Sequence, residues 1–146
     1  MCGEGKMSDL WNNNEPCRPD GCCEAEKGIE LICEALRALN MGLEKIMCSN
    51  ICGGIEFILF GLKKAEVGLS NIDEGLRRLL CDLGFDAFQN TSRGTDDICA
   101  GIYAGCRGLK AVLQGRREEG IAKIRTGIDL IERGLRRIFH SLRDIC

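Results

Sequence analysis

The amino-acid sequence predicts an all-α fold, in which a duplicated αα-hairpin of four long helices follows a flexible, cysteine-rich N-terminal arm. Three observations indicate this fold: small residues recur at every seventh position, the second half of the chain repeats the first, and both prolines lie near the N-terminus. The chain has 146 residues, of which 45% are hydrophobic. That length and composition suit one folded domain with a substantial core.

The predicted arm covers residues 1–27 and lacks the apolar periodicity of a helix, so we expect it to be extended or disordered in the monomer. Neighbouring side chains diverge, and the adjacent Cys22 and Cys23 should therefore bond different partners. The arm resembles the Cys-rich N-terminal connectors, which carry a CC pair, of bacterial endospore appendage fibres, and the resemblance implies cross-links between subunits. The likeness is confined to the arm, because those fibre subunits are β-sandwiches. The arm contains both prolines and four cysteines: Pro16, Pro19, Cys2, Cys17, Cys22 and Cys23.

The first hairpin is predicted at residues 28–83 and the second at 94–146, with a linker at 84–93. Apolar residues follow the small residues at spacings of three and four, which is the a/d seam of packed helices and leaves the small residues at g. A shift of 66 residues aligns the two hairpins with 16 identities in 53 positions, which indicates a duplicated unit. The small residues form four series: Gly28, Ala35, Gly42 and Ser49; Gly54, Gly61, Gly68 and Gly75; Gly94, Gly101, Gly108 and Gly115; Gly120, Gly127, Gly134 and Ser141.

A break in the seven-residue spacing divides each hairpin into two helices. Twelve residues separate Gly42 from Gly54, and twelve also separate Gly108 from Gly120. On one straight helix this interval would rotate the apolar stripe by about 120°, so a turn is predicted inside each break. The predicted helices cover roughly 24–48, 54–83, 95–114 and 117–145.

Glycine in a helix interior costs roughly 1 kcal/mol relative to alanine, so a series of such glycines requires an offsetting interaction. A glycine at g lets the backbone of a neighbouring helix approach closely. We therefore expect close helix packing, either within the chain or with a neighbouring chain. The alternative is that the glycines serve no packing role and reflect a helix composition under little selection. The predicted close-packing glycines are Gly42, Gly61, Gly68, Gly75, Gly101, Gly108, Gly127 and Gly134.

The chain contains eleven cysteines, an odd number, so at least one must be free, metal-bound or bonded to another chain. Cys99 and Cys106 are two helical turns apart, about 10.5 Å, which exceeds the Cα separation of a disulfide, so they must find different partners. The predicted intersubunit disulfide residues are Cys2, Cys17, Cys22, Cys23 and Cys146. The predicted helix-flank cysteines, for which burial as small hydrophobic residues is the alternative, are Cys33, Cys48, Cys52, Cys81, Cys99 and Cys106.

Composition and motifs disfavour an enzyme and a cofactor. The only histidine, His140, lies in a charged helical stretch, and no GxxxxGK[ST] phosphate loop occurs. The net charge of −2 disfavours nucleic-acid binding, and no apolar run is long enough to insert into a membrane. No metal site is assigned. The CxxxC spacing of Cys48 and Cys52 leaves one alternative open, storage of Cu(I) or another soft metal in a helical bundle.

The sequence best fits a structural protein that assembles with copies of itself, through helix packing and the N-terminal arm, into a disulfide-cross-linked helical fibre or lattice. No apolar signal-peptide segment is visible at the N-terminus. A high cysteine content, however, is typical of oxidising compartments. We therefore expect a bacterial cell or spore surface that is reached without a signal peptide, with the cytoplasm as the alternative.

Overall fold

The computed structural model describes residues 19–146, which form four helices without strands and confirm the all-α prediction. The helices pair as two antiparallel hairpins, α1 with α2 and α3 with α4. α1 also packs against α4, and α2 against α3, which closes a four-helix bundle. The helices are α1 at Cys22–Met47, α2 at Ile51–Arg78, α3 at Phe85–Leu113 and α4 at Arg117–Leu142.

Two predicted boundaries are corrected by the helix positions. Residues 22–27 were predicted to belong to the arm, but they form the first turns of α1, which starts after Gly21. The predicted linker at 84–93 is mostly helical, because α3 begins at Phe85 and only residues 79–84 connect the hairpins. The rest of the predicted arm, residues 1–18, lies outside the described part of the chain.

The two hairpin turns fall inside the breaks of the seven-residue spacing. Between α1 and α2, Ser49 has a positive φ of 71°, and the Asn50 side chain accepts a hydrogen bond of 3.1 Å from the backbone N–H of Gly53. This contact satisfies one of the free N–H groups at the start of α2. Between α3 and α4, Gly115 has a φ of +83°, which a glycine adopts without strain.

Within each hairpin, glycines of one helix face glycines of the other. A Cβ added to Gly28 would lie 2.5 Å from the carbonyl oxygen of Gly68, and one added to Gly101 would lie 2.6 Å from that of Gly127. Contacts that close leave no space for a side chain, so the two backbones touch along the seam. All eight glycines predicted to pack closely lie in these two seams, against the partner helix of the same chain: Gly42, Gly61, Gly68, Gly75, Gly101, Gly108, Gly127 and Gly134.

The space between the two hairpins is filled by branched aliphatic side chains. Leu62 of α2, for example, packs over Gly105 of α3, where an added Cβ would lie 2.7 Å from the leucine Cδ2. None of the helices in residues 19–146 carries an apolar stretch long enough to cross a membrane. The almost fully buried large side chains are Ile29, Ile32, Leu39, Ile46, Ile58, Ile72, Leu79, Ile98, Ile124, Ile131 and Leu135.

The topology gives the bundle two chemically distinct ends. The start of α1, the connection between α2 and α3, and the C-terminus lie together at one end, which we call the disulfide end. The α1–α2 and α3–α4 turns lie together at the other, which we call the turn end. Because all four helices run the length of the bundle, each cysteine within residues 19–146 lies either at one of its ends or along one of its sides.

Candidate cross-linking site

A disulfide joins Cys22 at the start of α1 to Cys146 at the C-terminus, with 5.8 Å between the two Cα atoms. Both residues were predicted to bond other subunits, and this bond within the chain corrects that prediction. The reason is topological, since α1 and α4 are antiparallel neighbours and their ends meet. Cys22 is 1% exposed, so the bond lies in the core at the disulfide end.

Cys33 also differs from the other predicted flank cysteines. Its side chain is buried in the hydrophobic core, and its sulfur is engaged in a disulfide. It is therefore not a free thiol on the surface. The predicted cross-linking residues Cys2 and Cys17 lie outside residues 19–146.

Six cysteines of the described chain are free and exposed, and they are distributed in three pairs. Cys23 and Cys81 lie at the disulfide end, in the first turn of α1 and after α2. At the turn end, Cys48 follows α1 and Cys52 lies in the first turn of α2. The third pair, Cys99 and Cys106, lies on the side of α3. The exposed free thiols are thus Cys23, Cys48, Cys52, Cys81, Cys99 and Cys106.

The side pair lies in a shallow groove between α2 and α3 with a volume of about 490 Å³. Partial burial raises the pKa of the Cys106 thiol, and the nearby carboxylate of Glu66 raises it further. Burial also raises the pKa of Asp73; Arg77 opposes this shift and Asp96 adds to it. The residues lining the groove are Glu66, Leu69, Ser70, Asp73, Cys99, Ile102, Tyr103 and Cys106.

This environment disfavours the thiolate of Cys106, the form in which a cysteine acts as a nucleophile. A catalytic cysteine needs a neighbouring base or cation that favours the thiolate, whereas Glu66 disfavours the thiolate of Cys106. None of the described residues that line the groove is basic, and His140 lies on α4. A thiol of this kind can still form a disulfide when a partner sulfur is held beside it.

We expect substitution of Glu66 to change the reactivity of Cys106 in a defined direction. Glu66→Gln removes one of the two causes that raise the Cys106 pKa, so its thiolate fraction at about pH 8 should increase. Iodoacetamide labelling, resolved by peptide mass spectrometry, should therefore modify Cys106 faster in the variant. Cys48 at the turn end is the internal control and should label at an unchanged rate. An equal or slower rate at Cys106 would contradict this electrostatic account.

The geometry offers little support for metal storage. In the part of the chain that the structure describes, no three cysteine, histidine, aspartate or glutamate side chains come together as a metal site. Cys48 and Cys52, the CxxxC pair, are both exposed at the turn end. A thiolate-lined bundle interior, which Cu(I) storage would use, is occupied here by isoleucine and leucine.

The Cys22–Cys146 bond within the chain was missed by the sequence-based prediction, which assigned both residues to bonds between subunits. One signal was available: Gly21 extends the seven-residue series back from Gly28, and Cys22 then takes the same seam position as Ile29. Comparisons with protein-family models, with curated proteins and with solved structures find no match to this chain. Its function must therefore be argued from the arrangement of its thiols.

Proposed function

We propose that this protein is a structural subunit that assembles with copies of itself into a disulfide-cross-linked fibre or lattice, on a bacterial cell or spore surface. The observation that carries the proposal is the distribution of the six exposed thiols, two at each end and two on one side of the bundle. Such a distribution allows bonds along the bundle axis and across it. Thiols that served one internal site would instead lie close together.

The bundle is well suited to transmit force between such bonds. Backbone contact along both glycine seams and the Cys22–Cys146 disulfide tie the helices of the subunit together. Cross-links at both ends would then connect rigid elements about 40 Å long, the length of helices of this size. Mechanical and chemical resilience of the assembly is the function we infer.

The disulfide-bonded cysteines of the core favour an oxidising location, which fits the same proposal. Disulfides persist outside the reducing cytoplasm, and this chain has two disulfide-bonded positions in its core, at Cys22 and at Cys33. The intersubunit bonds would form by exchange with a small disulfide such as oxidised glutathione. In that reaction two protein thiols lose two protons and two electrons, and the small disulfide is reduced to two thiols.

Polymer formation under controlled oxidation tests the proposal. Full-length protein, kept reduced and then exposed to oxidised glutathione, should give a ladder in multiples of 16.1 kDa on a non-reducing gel. Electron microscopy should show regular fibres or sheets, and a reducing agent should collapse the ladder to the monomer. A sharp monomer band under both conditions, without polymers in the images, would overturn the proposal.

A sixfold variant separates the described thiols from the N-terminal ones. Serine at all six exposed positions leaves the Cys22–Cys146 bond intact and should remove most of the ladder. An unchanged ladder would place the cross-links at cysteines other than these six and would remove the stated basis of the proposal. Elemental analysis of the purified protein addresses the copper alternative, which predicts several copper atoms per chain.

A further inference from the structure

The exposed hydrophobic side chains are concentrated on α2 and α3. Of the ten large hydrophobic residues that are exposed within residues 19–146, eight lie on α2, α3 or the connection between them, and none lies on α4. Leu59 is 45% exposed and Tyr103 64%, and both lie on the side of the α2–α3 groove, since Leu59 precedes the groove residue Glu66 by two helical turns. We call this surface, with Cys99 and Cys106, the α2–α3 face. Patches of this kind mark interaction surfaces in soluble proteins.

The duplication provides an internal reference for this face. The 66-residue shift that aligns the two units relates the α2–α3 face to the surface formed by α4 and α1. The equivalent positions there are polar: Arg125 for Leu59, Arg37 for Tyr103 and Asn40 for Cys106. One copy of the unit therefore presents a water-compatible surface, and the other presents aromatic and aliphatic side chains.

A second stripe of residues, separate from the core seam, runs along the exposed side of α3. Its members follow each other at spacings of three and four, as in a helix-packing seam. Tyr103 lies at its centre, one thiol lies on each side, and the outer positions carry opposite charges. In chain order the stripe consists of Asp96, Cys99, Tyr103, Cys106 and Lys110, all exposed.

We propose that the α2–α3 face binds the same face of a second copy of this chain. The two copies are antiparallel, related by a two-fold axis that passes beside Tyr103. Cys99 lies four residues before Tyr103 and Cys106 three after it, so the axis places Cys99 of each copy opposite Cys106 of the other. Asp96 and Lys110 lie seven residues before and seven after, and each Asp96 then faces the second copy's Lys110.

Helix geometry is compatible with both symmetric disulfides. Packed helices have axes about 8–10 Å apart and a Cα radius of about 2.3 Å, which leaves facing Cα atoms roughly 3.4–5.4 Å apart, with the upper part of this range at the wider axis separations. A disulfide needs a Cα separation of about 4.4–6.8 Å. Cys99 and Cys106 of one chain are too far apart to bond each other. Both can thus form disulfides with the same neighbouring chain. Each bond forms by exchange with oxidised glutathione, which is reduced to two thiols.

Charge and area favour a second copy as the partner. The acidic end of the face contains Asp73 and Asp96, whose mutual repulsion contributes to the raised pKa of Asp73; Lys110 of the second copy would relieve it. The two helices, about 42 Å long and together about 20 Å wide, present roughly 800 Å², which is what each partner buries in a stable complex. The inference rests on the proposed function, because it assigns the lateral contact of that assembly.

Cross-link mapping on the full chain tests the pairing directly. A mixture of unlabelled and ¹⁵N-labelled protein, oxidised with glutathione, should yield Cys99–Cys106 peptides that combine both isotopes. Polymers without this peptide would overturn the inference and leave the proposed function standing. Dimers joined by this peptide, without larger polymers, would support the inference and contradict the proposed function.

The reduced protein tests the face itself by sedimentation. Leu59→Arg and Tyr103→Arg should each weaken dimerisation by about tenfold or more, as hot-spot substitutions do. Phe60→Arg is the matched control and should have no effect, because Phe60 is exposed on the side of α2 that faces α1, beside the Lys64–Glu34 ion pair. Asp96→Lys should weaken the dimer, and addition of Lys110→Asp should restore it, because the swap recreates both ion pairs. A reduced protein that stays monomeric, or a charge swap that restores nothing, would overturn the proposed arrangement.

Discussion

Replacement of Cys22 and Cys146 by alanine should lower the free energy of unfolding by about 3–5 kcal/mol. The bond joins residues 124 positions apart and thus restrains nearly the whole described chain in its unfolded state. Chain-entropy arguments give about 5 kcal/mol for a loop of this length, and native disulfides deliver about 2–5 kcal/mol. Alanine is the suitable replacement because Cys22 is 1% exposed, and serine would bury a hydroxyl group.

Urea unfolding followed by far-UV circular dichroism measures this loss. Cys48→Ala with Cys81→Ala is the matched control, since both thiols are free and exposed. The control should change stability by less than about 0.5 kcal/mol. Equal losses in the two double variants would show that the Cys22–Cys146 bond has no special role. The variant with Cys22→Ala and Cys146→Ala should also retain its helices in dilute buffer, because its aliphatic core is unchanged.

The fold was predictable because the seven-residue spacing of small residues marks the helices, and the breaks in that spacing mark the turns. Both boundary errors came from stopping this spacing too early. Gly21 continues the series of small residues in α1, and Ala87 continues the series in α3. The proline near Gly21 and the polar residues near Ala87 indicated loops instead. In the structure, Asn90 donates a 2.8 Å hydrogen bond to the Ser141 hydroxyl, a tertiary contact that helps hold the early part of α3 against α4.

The cysteine chemistry was only partly predictable, because position on a helix does not determine a bonding partner. Cys33 and Cys99 occupy equivalent positions of the two units, yet Cys33 is buried and bonded whereas Cys99 is exposed and free. The Cys22–Cys146 bond depends on the adjacency of α1 and α4, the first and last helices. Adjacency of elements so distant in sequence follows from how the hairpins pack, which no local pattern records.

Gly101→Ala should lower the free energy of unfolding by about 2 kcal/mol, even though alanine is the better helix former. Helix propensity alone favours alanine by about 1 kcal/mol. The new Cβ, however, would lie 2.6 Å from the Gly127 carbonyl oxygen and 3.0 Å from the backbone nitrogen of Ile131. Backbone atoms cannot rotate away as a side chain can, so the helices must separate, and overpacking of this kind costs about 1–3 kcal/mol or more.

The sign of the effect distinguishes seam packing from helix propensity. Ala100→Gly, at the exposed neighbouring position, is the matched control and should cost about 1 kcal/mol through propensity alone. Stabilisation by Gly101→Ala would mean that the seam does not constrain that position. Adding Gly127→Ala should cost less in the Gly101→Ala background than in the wild type, because the first substitution has already separated the backbones at that contact. Such non-additivity is expected only for residues that share one contact, so it would locate the cost at the point where α3 meets α4.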